Sequence, residues 1–176
     1  MQCAFRVLYN LLKKSKEGVV SKFFKFIIAM FISFLPGAVG VLFTPRSNMD
    51  LWYNALNKSA LTPDAWVFSV AWTVLYALLG WALYLVMVRQ NKRQSKNLAY
   101  SLFAVQAALN ALWSYVFFGM QLPLVALFVL VTLIAIAIWM ARVFFPIDKW
   151  ASILVWPYIV WMIFAMYLNG VIVFLN

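Results

Sequence analysis

Residues 123–145 read PLVALFVLVTLIAIAIWMARVFF, a run whose only charge is Arg142. As a helix rising ~1.5 Å per residue, it is long enough to cross a hydrocarbon core of ~30 Å. Its middle, LVALFVLVTLIAIAI over residues 124–138, is apolar on every face. A transmembrane β-strand would alternate in polarity over ~10 residues, and a surface helix of a soluble domain would keep one polar face. A helix with apolar surroundings on all sides satisfies the pattern.

Four more runs of this kind flank it, at residues 23–43, 65–88, 98–118 and 150–175. The expected architecture is an all-α membrane protein, a bundle of five transmembrane helices with a long loop between helices one and two. Residues 1–22 are a basic leader and residues 23–176 the five-helix domain. Composition agrees: 67% of the residues are hydrophobic and 10% charged, against roughly 45–50% and 25% in soluble domains.

The inventory also excludes chemistries. The chain has no His and one Cys, Cys3. That removes an imidazole base, a Ser-His-Asp triad, a His-ligated metal and an intrachain disulfide. The four acids, Glu17, Asp50, Asp64 and Asp148, all fall near segment ends. Paired carboxylates at mid-membrane, common in ion-coupled pumps, are therefore not expected. No metal site and no required cofactor are expected.

The net charge of +10 is unevenly placed. Arg6, Lys13, Lys14, Lys16, Lys22 and Lys25 precede or open the first span. Arg89, Lys92, Arg93 and Lys96 lie between the second and third, and Arg142 and Lys149 between the fourth and fifth. With alternating helices these twelve share one side, leaving Arg46 and Lys58 on the other. The excess reports topology, with the amino terminus on the cation-rich, cytoplasmic side of a bacterial membrane, rather than a nucleic-acid partner. The leader has further readings. Phe5, Leu8, Leu11 and Leu12 would give a surface helix an apolar face, and the basic composition also suits organelle targeting. A cleaved signal peptide is not expected.

Residues 44–64, TPRSNMDLWYNALNKSALTPD, form the one long connection. Leu51, Trp52, Ala55 and Leu56 are spaced for a brief helix, a candidate lid over the bundle mouth. Within the spans, Trp72, Tyr76 and Gly80 share one helix face, as do Gln106, Asn110 and Ser114, and Trp161, Ala165 and Asn169. Such residues serve interhelical hydrogen bonding and packing, or they wall a pocket for a flat apolar ligand. Ala104/Ala108 and Ala107/Ala111 are small pairs that suit either a homodimer face on helix three or packing inside one bundle. Pro157 is expected to kink helix five.

Four pieces, in order, resemble the TspO/translocator protein family, also known as tryptophan-rich sensory proteins or peripheral-type benzodiazepine receptors. The loop contributes Trp52, Tyr53, Leu56, Lys58 and Pro63; helix two, Trp72, Leu75, Tyr76 and Gly80. Helix three contributes Leu109, Asn110, Trp113, Phe117 and Phe118. Helix five carries WPYIVWMIFAMYLN, matching at Pro157, Tyr158, Trp161, Phe164, Ala165, Leu168 and Asn169. The resemblance covers residues 31–176. It departs in the loop, where Ser59 and Asp64 replace prolines and Leu61 replaces a tryptophan.

The resemblance implies a ligand pocket formed by Trp52, Tyr53, Trp72, Asn110 and Trp161, with Pro63, Ala165 and Asn169 nearby. Porphyrins and synthetic isoquinoline or benzodiazepine compounds are its implied ligands. Arg46 or Lys58 would meet porphyrin propionates at the mouth. Without His, free-base porphyrin, or haem held without a His ligand, is favoured. The implied function is a membrane binding protein or sensor for tetrapyrroles. Alternatives are a transporter of tetrapyrroles or lipids, and a light-dependent porphyrin-degrading enzyme acting through Trp72 and Trp161.

Overall fold

The computed structural model describes the backbone of residues 2–44, 51–89 and 93–176, and side chains in 20–44, 52–89 and 95–176. Arg46 therefore lies outside the described residues, as do the side chains of Phe5, Leu8, Leu11 and Leu12. The elements are α1 (Gln2–Val41), α2 (Leu51–Ala55), α3 (Ala65–Val88), α4 (Arg93–Ser114), α5 (Pro123–Phe144) and α6 (Lys149–Leu175). Helices α1, α3, α4, α5 and α6 each contain a stretch long and apolar enough to cross a membrane. The chain is an integral, multi-pass membrane protein of the all-helical class.

Helix α1 runs from Gln2, with its membrane-spanning part at Val20–Val41. At its far end, α4 loosens into a π-helical turn over Tyr115–Gly119 before the chain reverses. A π turn inserts an extra residue per turn, rotating the side chains beyond it, and such turns often lie at functional sites. Here it carries Phe117 and Phe118.

Local signals set the starts of the last two helices. Pro123 opens α5, where its missing N–H costs nothing. Asp148 caps α6, its carboxylate accepting from the backbone N–H of Trp150 (2.8 Å) and Ala151 (3.1 Å). The helix then continues through Pro157 without interruption.

Around the bundle the order is α1, α3, α6, α5, α4, with α4 closing more loosely on α1. Consecutive helices α3 and α4 therefore touch little, and α3 instead lies against the last helix. Contact between α1 and α3 is close at Gly80, where an added Cβ would sit 3.2 Å from the Met30 Cα and 3.3 Å from the Ser33 Cβ. Ser33 completes that seam, donating to the Tyr76 carbonyl oxygen at 2.6 Å. The interior is filled by Leu79, Phe103, Leu130, Met140, Ile159 and Met162, while large apolar side chains such as Phe31, Phe128 and Val160 face outward. That distribution suits a lipid-solvated surface.

Candidate ligand site between the lid and helices three, four and six

The ring order brings α3 and α6 side by side, so aromatic residues far apart in sequence form one wall. Phe68, Trp72 and Tyr76 recur every four residues on α3 and therefore share a face. Trp72 stacks on Tyr76, centroids 5.2 Å apart, and meets Tyr158 of α6 edge-on at 6.4 Å. One turn nearer the lid, Phe68 meets Trp161 edge-on at 5.9 Å, and Trp161 leans on Phe164 at 5.6 Å.

Asn110 of α4 anchors the inner end of this wall. It is buried, with its carbonyl oxygen accepting from the Tyr76 hydroxyl at 2.9 Å and its NH2 donating to the Tyr158 hydroxyl at 3.1 Å. Three helices are thus joined by one amide. Asn169 plays the corresponding part nearer the lid: it accepts from the Trp113 indole at 3.2 Å and donates to the Pro123 carbonyl at 2.8 Å. In an apolar interior such groups must find partners, which explains why both amides turn inward. Gln106 is buried below Asn110, whereas Ser114 turns toward α1, beside Gly40.

Trp161 is different. Its indole N–H is buried and finds no acceptor, alone in this among the described side chains. An unmet buried donor costs about 1–3 kcal/mol. The arrangement therefore holds a directional donor in an aromatic wall without using it.

The lid closes over the second aromatic group. Trp52 and Tyr53, both on α2, meet Phe117 edge-on at 5.8 and 6.4 Å, and Tyr53 also meets Phe118 at 5.6 Å. Trp113 stacks on Phe117 at 5.2 Å, linking this group to the helix interior. Burial pushes the Tyr53 phenol above its ordinary value, so it stays neutral. Lys58 folds back on the lid, donating to the Tyr53 carbonyl at 2.6 Å with its ammonium 4.6 Å from the Tyr53 ring centre. It thereby ties the connection back to the last turn of α2.

Of the residues read from sequence, Trp72, Asn110, Trp161 and Ala165 gather around the main core, and Trp52 and Tyr53 around the lid contact. Pro63 is half-buried in the connection, and Asn169 is spent on Trp113 and Pro123. Tyr158, Phe68 and Tyr167 join the site beyond the residues read from sequence. Tyr158 and Tyr167 stand three residues from Trp161 and Phe164 respectively, and Phe68 four from Trp72; those helical spacings are the signal that identifies them.

The lid departures acquire a structural account. Ser59 accepts from the Leu61 N–H and bonds the Tyr167 hydroxyl, each at 3.1 Å, so hydrogen bonds constrain the segment where a proline ring would. Leu61 is exposed, and Asp64 precedes α3 with no side-chain capping bond.

Comparison with known proteins points the same way. The model of the TspO/MBR family matches residues 27–175. The tryptophan-rich protein TspO of Chlorobaculum tepidum is 39% identical over 140 residues, covering 80% of this chain and 88% of that protein. The tryptophan-rich sensory protein of Cereibacter sphaeroides is 37% identical over 149 residues, covering 80% and 87%. The translocator protein of Bos taurus is 29% identical over 136 residues, covering 77% and 80%. With five membrane-crossing helices and the Trp-Tyr lid in place, the chain belongs to the TspO/MBR family.

Proposed function

We propose that the protein binds porphyrins and similar flat apolar molecules, at the aromatic wall of α3 and α6 beneath the lid. The observation that carries this reading is the unmet Trp161 indole N–H, set among Phe68, Trp72 and Phe164. Aromatic faces attract a planar ring system, while an isolated donor orients one acceptor on it. The Lys58 ammonium keeps a positive charge at the lid, where propionates would emerge. Arg46 is the other candidate for that contact. With no His in the chain, a porphyrin would be held as free base, or as haem without a His ligand.

Fluorescence titration of the purified protein with protoporphyrin tests this. Trp72→Phe and Trp161→Phe should each weaken binding about 5–10-fold, the worth of a stacking contact or hydrogen bond. Unchanged affinity in the double variant would refute the site. Repeating the titration under light separates the enzymatic alternative, which requires loss of porphyrin absorbance dependent on both indoles. Flux into sealed vesicles separates transport.

Two further readings follow from charge and exposure. The amino terminus is assigned to the cytoplasmic side of a bacterial membrane, from the twelve-to-two bias of cations. Ala104 and Ala108 face outward on α4, with Ala107 and Ala111 half-buried beside them, and we assign this strip to a homodimer contact. Cross-linking of Ala108→Cys in membranes, in a Cys3→Ser background, should trap a dimer; monomer alone would exclude the contact.

A further inference from the structure

At the end of the bundle away from the lid, two cations occupy positions that the rest of the fold reserves for apolar packing. Lys25 lies on the α1 face that carries Ala29, Ser33 and Pro36, all buried. Lys96 lies on the α4 face that carries Ala99, Phe103, Gln106 and Asn110, also buried. Both lysines are half-buried, on helices α1 and α4, which pack against each other. Lys96 has one long contact, Nζ to the Met87 carbonyl oxygen at 3.4 Å, in the last turn of α3.

No carboxylate answers them among the described residues. Asp148 is engaged by Arg89 and by the start of α6, and Asp64 belongs to the opposite end of α3. Two half-buried ammonium groups without a counter-charge are unfavourable unless an anion joins them. The place indicates which anion. Lys25 and Lys96 lie close to the ends of the spans Val20–Val41 and Ser95–Gly119, where helices pass from hydrocarbon to headgroups. Exposed Phe23, Phe24 and Leu98 flank them with surface suited to acyl chains. Helices α1 and α4 also meet more loosely than the other neighbouring pairs of the ring.

We propose that Lys25 and Lys96, on facing sides of α1 and α4, bind the phosphate of an anionic phospholipid headgroup. Basic pockets between transmembrane helices are suited to such headgroups, and each lysine contributes about fivefold in affinity. The site is separate from the aromatic wall and does not depend on porphyrin binding.

The test uses the full chain in neutral detergent, titrated with phosphatidylglycerol, phosphatidylcholine or inorganic phosphate. Native mass spectrometry reads retained lipid, and thermal melting reads stabilisation. Phosphatidylglycerol should be retained and raise the melting temperature, while the other two should do neither. Lys25→Gln and Lys96→Gln should each weaken retention about fivefold, and Lys96→Arg should keep it. Lys22→Gln, which removes an exposed charge at the same end, should change it far less. Without lipid, the Gln variants should melt at or above the parent temperature, because an uncompensated charge has been removed. Equal phosphatidylglycerol retention by the double Gln variant, equal stabilisation by phosphatidylcholine or phosphate, or a lower lipid-free melting temperature in both Gln variants would each overturn the proposal.

Discussion

Asn57 in the lid and Asn176 at the end of α6 pair reciprocally across the mouth of the bundle. The Asn57 N–H donates to the Asn176 side-chain oxygen at 2.9 Å, and the Asn176 NH2 donates back to the Asn57 carbonyl at 3.1 Å. Ser59 and Tyr167 add a second tie at 3.1 Å. Tyr167 stacks on Phe164, which leans on Trp161, so lid closure is mechanically continuous with the unmet indole.

Breaking the first tie should therefore loosen the lid without unfolding the helices. Asn176→Ala removes both paired bonds, worth together about 1–2 kcal/mol at an exposed position. Hydrogen exchange of the Asn57 amide should accelerate about tenfold or more, and protoporphyrin should dissociate faster. Unaltered Asn57 exchange would mean that the pair does not hold the lid closed.

Close packing at Gly37 supports the inner end of the wall. An added Cβ there would lie 2.5 Å from the Tyr76 ring, whereas at Gly170 nothing lies within 4 Å. Gly37→Ala should displace Tyr76 from Asn110 and destabilise by about 1–3 kcal/mol. Gly170→Ala should be neutral or stabilising by up to ~1 kcal/mol, from helix propensity alone. Thermal melting of the two variants in one detergent decides the comparison, and equal shifts would contradict it.

Asp148 joins α3 to α6 at the far end through its bond with Arg89. Burial alone would raise its carboxyl pKa. The Arg89 hydrogen bond and charge, with the Ala151 and Trp150 N–H groups, outweigh this and hold the carboxyl below the usual carboxylate range. The sign follows from linkage: with a depressed folded pKa, the contribution is complete above the unfolded value of about 3.9 and fades as pH falls through the lower folded value. Asp148→Ala should cost about 2 kcal/mol at neutral pH, discounted because Arg89 is more than half exposed. Acid melting curves of parent and Asp148→Asn should converge as pH drops below about 4. A constant gap down to the lowest pH would show that the carboxylate's charge is not what stabilises the junction.

Sidedness is checked independently. A reporter fused after Asn176 should read the side opposite the cation-rich connections, outside in bacteria. Cytoplasmic signal from that fusion would reverse the assigned orientation.

Much of this was legible along the chain because membrane insertion is a local property. A segment such as residues 124–138 has no alternative to a helix, since each backbone polar group must be satisfied within the segment. The Leu51, Trp52 and Ala55 spacing likewise identified α2, and the resemblance of four segments identified the family. The π turn at Tyr115–Gly119 is not legible in the sequence, which would suit a regular helix equally well.

Partnership was another matter. Periodicity showed that Asn110 and Asn169 would face inward, but could not show what they would meet. Tyr158 is a further 48 residues along the chain from Asn110, and Pro123 offers a carbonyl that no pattern advertises. Hydropathy does not specify which helices become neighbours, because each apolar face is equally content against lipid or protein. Close approach at Gly80, the shared amide of Asn110 and the bond between Arg89 and Asp148 choose the ring order. The five spans and the brief helix of the long connection were thus legible in the sequence alone. Only the tertiary structure decided that α3 lies against α6, that Asn169 is already occupied, and that the Trp161 indole is the donor left unmet.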